Sequence, residues 1–217
     1  MGDTLHAYEH VRGIYFPIAI GVFALVLAAL ALLLVRGARR RAAPSRTADA
    51  PRFEVGYALV LAAVTALLIV ITFRSETPID RVAAHPSLRI NVTAAQWSWV
   101  FTYPNGARIA DVSTWHPTPA FVPVGEEIEF YGRSRDVIHG FWVAQLHFQR
   151  QLLPGYDTRF DLRFDTPGRY GGTCSVFCGD QHAQMHFALQ AVSPARFEAW
   201  MSEHAAQSSS PGAGAPS

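Results

Sequence analysis

Lysine is absent from this chain: all 18 of its basic side chains are arginines, and 17 acids leave a formal net charge of +1. The missing lysine reads as composition and not as function. Charge is scarce as well, at 16% of residues against 50% hydrophobic, and a 217-residue chain that apolar does not suit an ordinary water-soluble domain. Some of it belongs in a membrane. Cysteine is nearly missing too: there are 2. Both, Cys174 and Cys178, fall in the stretch TCSVFCGDQHAQMHF, Thr173 to Phe187, beside His182, Met185 and His186.

Two uncharged runs supply the apolar excess. Ile14 to Val35 is long enough to cross roughly 30 Å of hydrocarbon as a helix, and Tyr57 to Phe73, between Glu54 and Arg74, sits near the short limit of about 17 residues. We assign membrane helices to residues 14–35 and 54–74. A cleaved signal peptide competes for the first, but the preceding MGDTLHAYEHVR is long and acidic, and no small-residue cleavage pattern follows before the arginines. A buried core helix competes for the second. Residues 36–53 carry Arg36, Arg39, Arg40, Arg41, Arg46 and Arg52 against Asp49, an imbalance that keeps such a loop in the cytoplasm. A nucleic-acid-binding run is the weaker reading, because this one abuts an apolar helix end and topology alone explains it. Two crossings then put residues 1–13 and everything beyond the second helix outside, in the periplasm of a bacterium-like cell.

After a linker over 75–87, residues 88–204 have the length of one compact domain. Leu88 to Tyr103 alternates in part and is rich in β-branched and aromatic residues, as is Phe121 to Phe130 around a Pro-Val-Gly turn. Arg159 to Phe164 alternates strictly, and His186 to Val192 is an extended apolar run. Short strands between turns predict a β-sandwich or barrel. Only Pro194 to His204 reads as helix, with Ser193 as N-cap and Phe197, Trp200 and Met201 on one face. The small, polar, Pro/Gly-rich tail over 205–217 is expected to be disordered.

The spacing of Cys174, Cys178, His182 and Met185 lets one loop turn two sulfurs, an imidazole and a thioether toward a point. Soft sulfur with imidazole and a weak methionine suits copper in electron transfer. One cysteine serves a single ion; a second lets both sulfurs bridge two ions. A structural disulfide explains the cysteines but not His182 and Met185. Structural zinc seldom uses methionine, and core packing accounts for Met185 and Phe187 alone. Two copper ions need a further histidine from elsewhere in the fold. His139, in SRDVIHGFWV, is the candidate, because a lone buried imidazole is otherwise costly. His147 and His186 are alternatives.

These residues resemble subunit II of the haem-copper oxidases, the cytochrome c oxidase family that carries the dinuclear copper centre CuA. The resemblance takes in the two helices, Gln96-Trp97-Ser98-Trp99, the turn Val122 to Gly125, Asp136 to His139, Leu153-Pro154-Gly155 and the loop Cys174 to Met185. It implies a two-helix transmembrane hairpin followed by an all-β, cupredoxin-like Greek-key β-sandwich. By the same resemblance, Cys174 and Cys178 are bridging thiolates, His139 and His182 terminal ligands, and Met185 and the backbone carbonyl of Val176 weak ones. The family usually has glutamate where Val176 stands, and that carboxylate also helps hold an interface magnesium, so the magnesium is expected to be absent here. Trp97 matches the tryptophan that receives electrons from cytochrome c, with sandwich anchor as its structural alternative. Glu54 matches an acid at the mouth of a proton path, or else is a solvated helix-start residue.

The function implied is uptake of electrons from a periplasmic donor such as cytochrome c and their transfer to haem in subunit I, where oxygen is reduced. This chain has no haem motif and no oxygen site, so the enzyme is the complex. The acids with which relatives attract basic cytochrome c are missing from Tyr103-Pro104-Asn105-Gly106, which weakens charge steering. Glycine after His139, in place of the commoner serine, and Tyr156 are further departures. Two rivals stand: the same module serving a haem-copper nitric oxide reductase, and a membrane-tethered copper chaperone or thiol-redox protein. The latter predicts a thioredoxin-like βαβ pattern that the strand-rich domain lacks.

Overall fold

A computed structural model of the chain describes residues 4–39, 51–76, 82–112 and 114–208. It divides into a helical unit and a β-rich unit. The helical unit holds α1 (Thr4–Arg39) and α2 (Pro51–Glu76). Both overrun the bounds expected from hydropathy, because hydropathy marks only the apolar stretch of a helix whose polar ends continue the same backbone bonding. At one such end Arg12 pairs with Glu9 at 3.4 Å, one helical turn away. α2 opens on Pro51, whose missing N–H costs nothing in the first turn. Both helices are long and apolar enough to cross a membrane. Large apolar side chains are exposed along their length, among them Phe16, Leu25 and Leu34 of α1 and Leu59, Leu61 and Phe73 of α2, a pattern that suits lipid. Tyr15 ties the pair together by donating to the Leu68 carbonyl at 2.7 Å and bonding the Thr72 hydroxyl. Most of the basic loop (40–50) and part of the linker (77–81) lie outside the described residues.

The β-rich unit is a sandwich of two five-stranded sheets. Its strands are β1 (Leu88–Ala95), β2 (Ser98–Thr102), β3 (Arg108–Val112), β4 (Pro119–Pro123), β5 (Glu127–Ser134), β6 (His139–Val143), β7 (Phe148–Leu152), β8 (Thr158–Arg163), β9 (Gly168–Cys174) and β10 (His186–Val192). One sheet has the order β3-β2-β1-β5-β8, the other β4-β10-β9-β6-β7. β1 with β5 and β4 with β10 are parallel; the remaining pairs are antiparallel. The stretch from Leu88 to Tyr103 is two strands, because the chain turns at Gln96–Trp97.

Alternation puts Ile90, Val92 and Ala94 of β1 and Trp99 and Phe101 of β2 inside, facing Phe141 of β6 and Phe187 and Leu189 of β10. Phe141 stacks on Phe187 with centroids 4.4 Å apart, and Trp99 meets Phe187 edge-on at 5.0 Å. Trp99 is the sandwich anchor. α3 (Pro194–Ser208) runs past the expected boundary at His204, so residues 205–208 of the expected disordered tail are helical; residues 209–217 lie outside the described residues. Its Trp200 stacks on Phe121 at 5.2 Å and closes one margin of the core.

Candidate metal centre

The site lies where β6 begins at His139, β9 ends at Cys174 and β10 is about to begin after Met185. The connecting loop is pinned by its backbone. The Cys174 N–H donates to the Met185 carbonyl at 3.0 Å, the Ser175 N–H to the Gly140 carbonyl at 3.0 Å, and Trp99 Nε1 to the Met185 carbonyl at 3.3 Å. A 3-10 turn over His182–Gln184, closed by the Met185 N–H on the His182 carbonyl, swings His182 and Met185 back toward the cysteines. Gly140 lets the loop come this close: a Cβ there would lie 2.2 Å from Ser175 Oγ and 3.0 Å from the Val176 nitrogen.

The two sulfurs are 3.7 Å apart and both thiols are free. Cys174 Sγ is 3.8 Å from His139 Nδ1 and 3.2 Å from the Val176 carbonyl oxygen. Cys178 Sγ is 3.6 Å from His182 Nδ1 and 3.7 Å from Met185 Sδ. Donor atoms bound to an ion at about 2.0–2.3 Å in tetrahedral array stand at such separations. Five side chains and a carbonyl are more donors than one tetrahedral ion takes, and the two sulfurs lie between the rest. The chemistry of the donor set, two thiols with imidazole and a thioether, suits a soft metal such as copper.

Electrostatics favour a cation. Burial opposes ionisation of Cys174, but hydrogen bonds with His139 and with the backbone of Gly140 and Val176 outweigh it and bring its thiol down to about 6. Cys178 is pushed the other way by burial and by the neighbouring Cys174 charge. One thiolate forms readily, and the second needs a positive charge between the sulfurs. His139 is fully buried, with Nε2 2.9 Å from Asp136 Oδ1. That contact leaves Nδ1 as the lone-pair atom facing Cys174.

Of the three histidines considered with His182, only His139 faces the sulfurs. His147 closes a 3-10 turn in a left-handed conformation (φ 47°). His186 lies on the outer face of β10 with its ring 4.7 Å from that of Trp115. Trp97, half-buried on the β1–β2 turn, donates Nε1 to the Cys178 carbonyl at 3.1 Å. Glu54 is exposed in the first turn of α2. Asp136 and Gln96 had no individual role in the sequence reading. Asp136 accepts from the amides of Gln96 and Val137 at 2.7 Å each and from His139, and Gln96 Nε2 donates to the Cys178 carbonyl at 2.7 Å. The available signal was an acid three residues before the candidate histidine, the spacing at which a turn can fold one back on the other.

Residues 88–192 match the family described as cytochrome c oxidase subunit II, periplasmic domain. The β-domain belongs to the subunit II family. The cytochrome c oxidase subunit 2 of Alkalihalophilus pseudofirmus is 31% identical over 153 residues, covering 70% of this chain and 43% of that protein. The probable cytochrome c oxidase subunit 2 of Streptomyces coelicolor is 27% identical over 183 residues, 67% of this chain and 57% of that one. The alignments thus span about half the length of these relatives. In fold, the chain is similar to the periplasmic domain of subunit II of cytochrome oxidase from Bradyrhizobium japonicum, with TM-score 0.53 and 24% identity over 58% of this chain and 99% of that one.

Proposed function

We propose that this chain is the electron-accepting subunit II of a membrane-bound haem-copper oxidase, taking electrons from a periplasmic donor such as cytochrome c and passing them to haem in subunit I for reduction of oxygen to water. The observation that carries this reading is the convergence of His139, Cys174, Cys178, His182, Met185 and the Val176 carbonyl, with Trp97 bonded to the same loop. Bound in that cage, a dinuclear copper centre supplies one-electron storage with the charge change spread over both metals and both sulfurs. The protein's part is positional. Cys174 and Cys178 would hold the copper through their sulfurs, His139 and His182 through their imidazoles, and Met185 and the Val176 carbonyl more weakly. Asp136 fixes the His139 tautomer, and burial of both cysteines in the hydrophobic core keeps water from the sulfurs.

In this reading Trp97 receives the electron, Glu54 stands at the mouth of a proton path, and the copper domain and both termini are periplasmic. Val176 places an isopropyl group where the family carries a carboxylate, so the interface magnesium loses that ligand. The deciding experiment is electron paramagnetic resonance of the copper-loaded full chain in detergent. Hyperfine structure from one electron shared by two copper nuclei is expected. Coupling to a single nucleus, or no copper with the cysteines oxidised to a disulfide, favours the chaperone or thiol-redox reading. Turnover of the co-purified complex with oxygen against nitric oxide separates an oxidase from a nitric oxide reductase.

A further inference from the structure

The outer face of the first sheet carries a cavity of about 270 Å³ that the copper site does not use. Strand register makes it. Parallel pairing sets Thr93 of β1 beside Arg133 of β5, and the Arg135 N–H then donates to the Ala94 carbonyl at 3.0 Å, so Arg135 lies at the end of β1. On the other flank Thr102 of β2 pairs with Arg108 of β3, and Ser98 pairs with Ala95. Three guanidinium groups therefore border a floor that includes the hydroxyls of Thr93, Ser98 and Thr102.

The charges in this trough do not cancel. Arg133 is paired with Asp157 at 2.5 Å, and Asp157 also accepts from Tyr131. Arg108 and Arg135 are exposed and have no ion-pair partner among the described residues. Asp136 turns its carboxylate to Gln96, Val137 and His139, and Asp111 pairs in register with the inward-facing Trp99. Further along the face the arginines are answered: Arg89 and Arg159 both hold Glu129, and Arg163 holds Asp165 at 2.7 Å. The surplus runs diagonally across the face, from Arg108 beside Thr102 at the far end of β2 to Arg135 at the end of β1, next to the turn that bears Trp97. Ala95 and Ser98, which line the trough, flank Gln96–Trp97 in the chain.

We propose that this arginine trough docks the acidic face of the electron-donor protein, seating the donor beside Trp97. The inference rests on the electron-accepting function above. Guanidinium forks and hydroxyls recognise carboxylates, and a local positive field raises the encounter rate of an oppositely charged partner. The sign is the reverse of that which attracts a basic cytochrome c.

The test uses the copper-loaded full chain in detergent with three reduced probes: an acidic c-type cytochrome, a basic one and an uncharged hydroquinone. Reduction is followed by stopped flow from low to high ionic strength, and binding of the oxidised cytochromes to the immobilised chain gives a readout independent of electron transfer. The acidic cytochrome is expected to bind and react faster than the basic one at low salt, with both advantages fading as salt rises. The double variant Arg108→Gln, Arg135→Gln is expected to lower its binding and rate about tenfold at low salt. The hydroquinone rate and the copper spectrum of the variant should match the wild type. Preference for the basic cytochrome, or an unaltered acidic-cytochrome rate in the variant, overturns the docking surface alone. Failure of hydroquinone to reduce the wild type removes the electron-accepting function and the docking inference with it.

Discussion

Trp97 Nε1 and the carbonyl oxygen of Cys178 are 3.1 Å apart, so a half-buried indole is hydrogen-bonded to the residue whose sulfur faces Cys174, His182 and Met185. Gly179 makes room for it: its φ is +116°, and a Cβ there would lie 2.9 Å from the Trp97 ring. The β1–β2 turn and the cysteine loop are thereby one local unit.

Trp97→Phe keeps an aromatic surface and removes the N–H, leaving Gln96 as the side-chain donor to that carbonyl. The expected result is slower reduction by a protein donor with copper content unchanged, and a stability loss of about 1 kcal/mol for the missing bond. Stopped-flow reduction and metal analysis on the same sample check this. Copper loss equal to the rate loss would make Trp97 a structural residue only.

Gly140→Ser restores the residue commoner in the family and is expected to do harm here. Its Cβ has no space against Ser175 Oγ and the Val176 backbone, and overpacking of this kind costs about 1–3 kcal/mol. Since Val176 supplies the carbonyl nearest Cys174, the loop's displacement should lower copper stoichiometry as well as thermal stability. Ser175 Oγ is buried without a hydrogen-bond partner. Removing it with Ser175→Gly should therefore restore part of the copper content of the Gly140→Ser variant.

Much of this was legible in the sequence because it is local. Cys174 to Met185 is one loop, and its ligand spacing survives folding almost as a chemical formula; the strict alternation of Arg159 to Phe164 likewise becomes β8 with Phe160 and Leu162 inside. The two apolar runs announced themselves by composition. What escaped depends on partners far apart in the chain. The parallel pairing of β1 with β5 brings Arg133 to Thr93 and Arg89 to Glu129, and periodicity within either strand carries no information about that register. The α3 boundary was missed because Gln207 and Ser208 extend a helix that polarity alone reads as tail. The bond between Trp97 and Cys178 needed the turn and the loop to meet at one end of the sandwich.

Glu129 shows what such register does to stability. Its side chain is wholly buried on the outer face, covered by Arg89 at 2.5 Å and by Arg159. Burial raises its carboxyl, but the hydrogen bonds and charges of the two arginines outweigh burial and hold it below the usual carboxylate range. A carboxylate lowered on folding adds stability that is fully present above the ordinary value of about 4.3 and is lost as pH falls through the folded value. Glu129→Gln should cost about 1.5–3 kcal/mol at pH near 7, the range for hydrogen bonds to a charged group. In urea titrations the gap between wild type and variant should close below about pH 4. A gap that stays constant with pH would mean that shape, and not charge, is what the arginines hold.

Asp136 stands in the same relation to the candidate metal site as Glu129 to the sheet, except that the group it orients is the proposed ligand His139. It accepts from the Gln96 and Val137 amides and from His139 Nε2, so one carboxylate fixes both the Trp97-bearing turn and the imidazole facing Cys174. Asp136→Asn keeps the volume and removes the charge. Loss of a negative charge beside the site disfavours the more positive oxidised state, so the midpoint potential of the copper-loaded chain should rise by tens of millivolts, the scale of a unit charge in a partly wet site. A residue that serves structure alone would lower the melting temperature and leave the potential where it was. Redox titration of the Asn variant, with Asp136→Glu restoring charge but not position, separates the two. A rise in Asn that Glu reverses assigns the effect to charge, whereas equal shifts in both assign it to the orientation of His139.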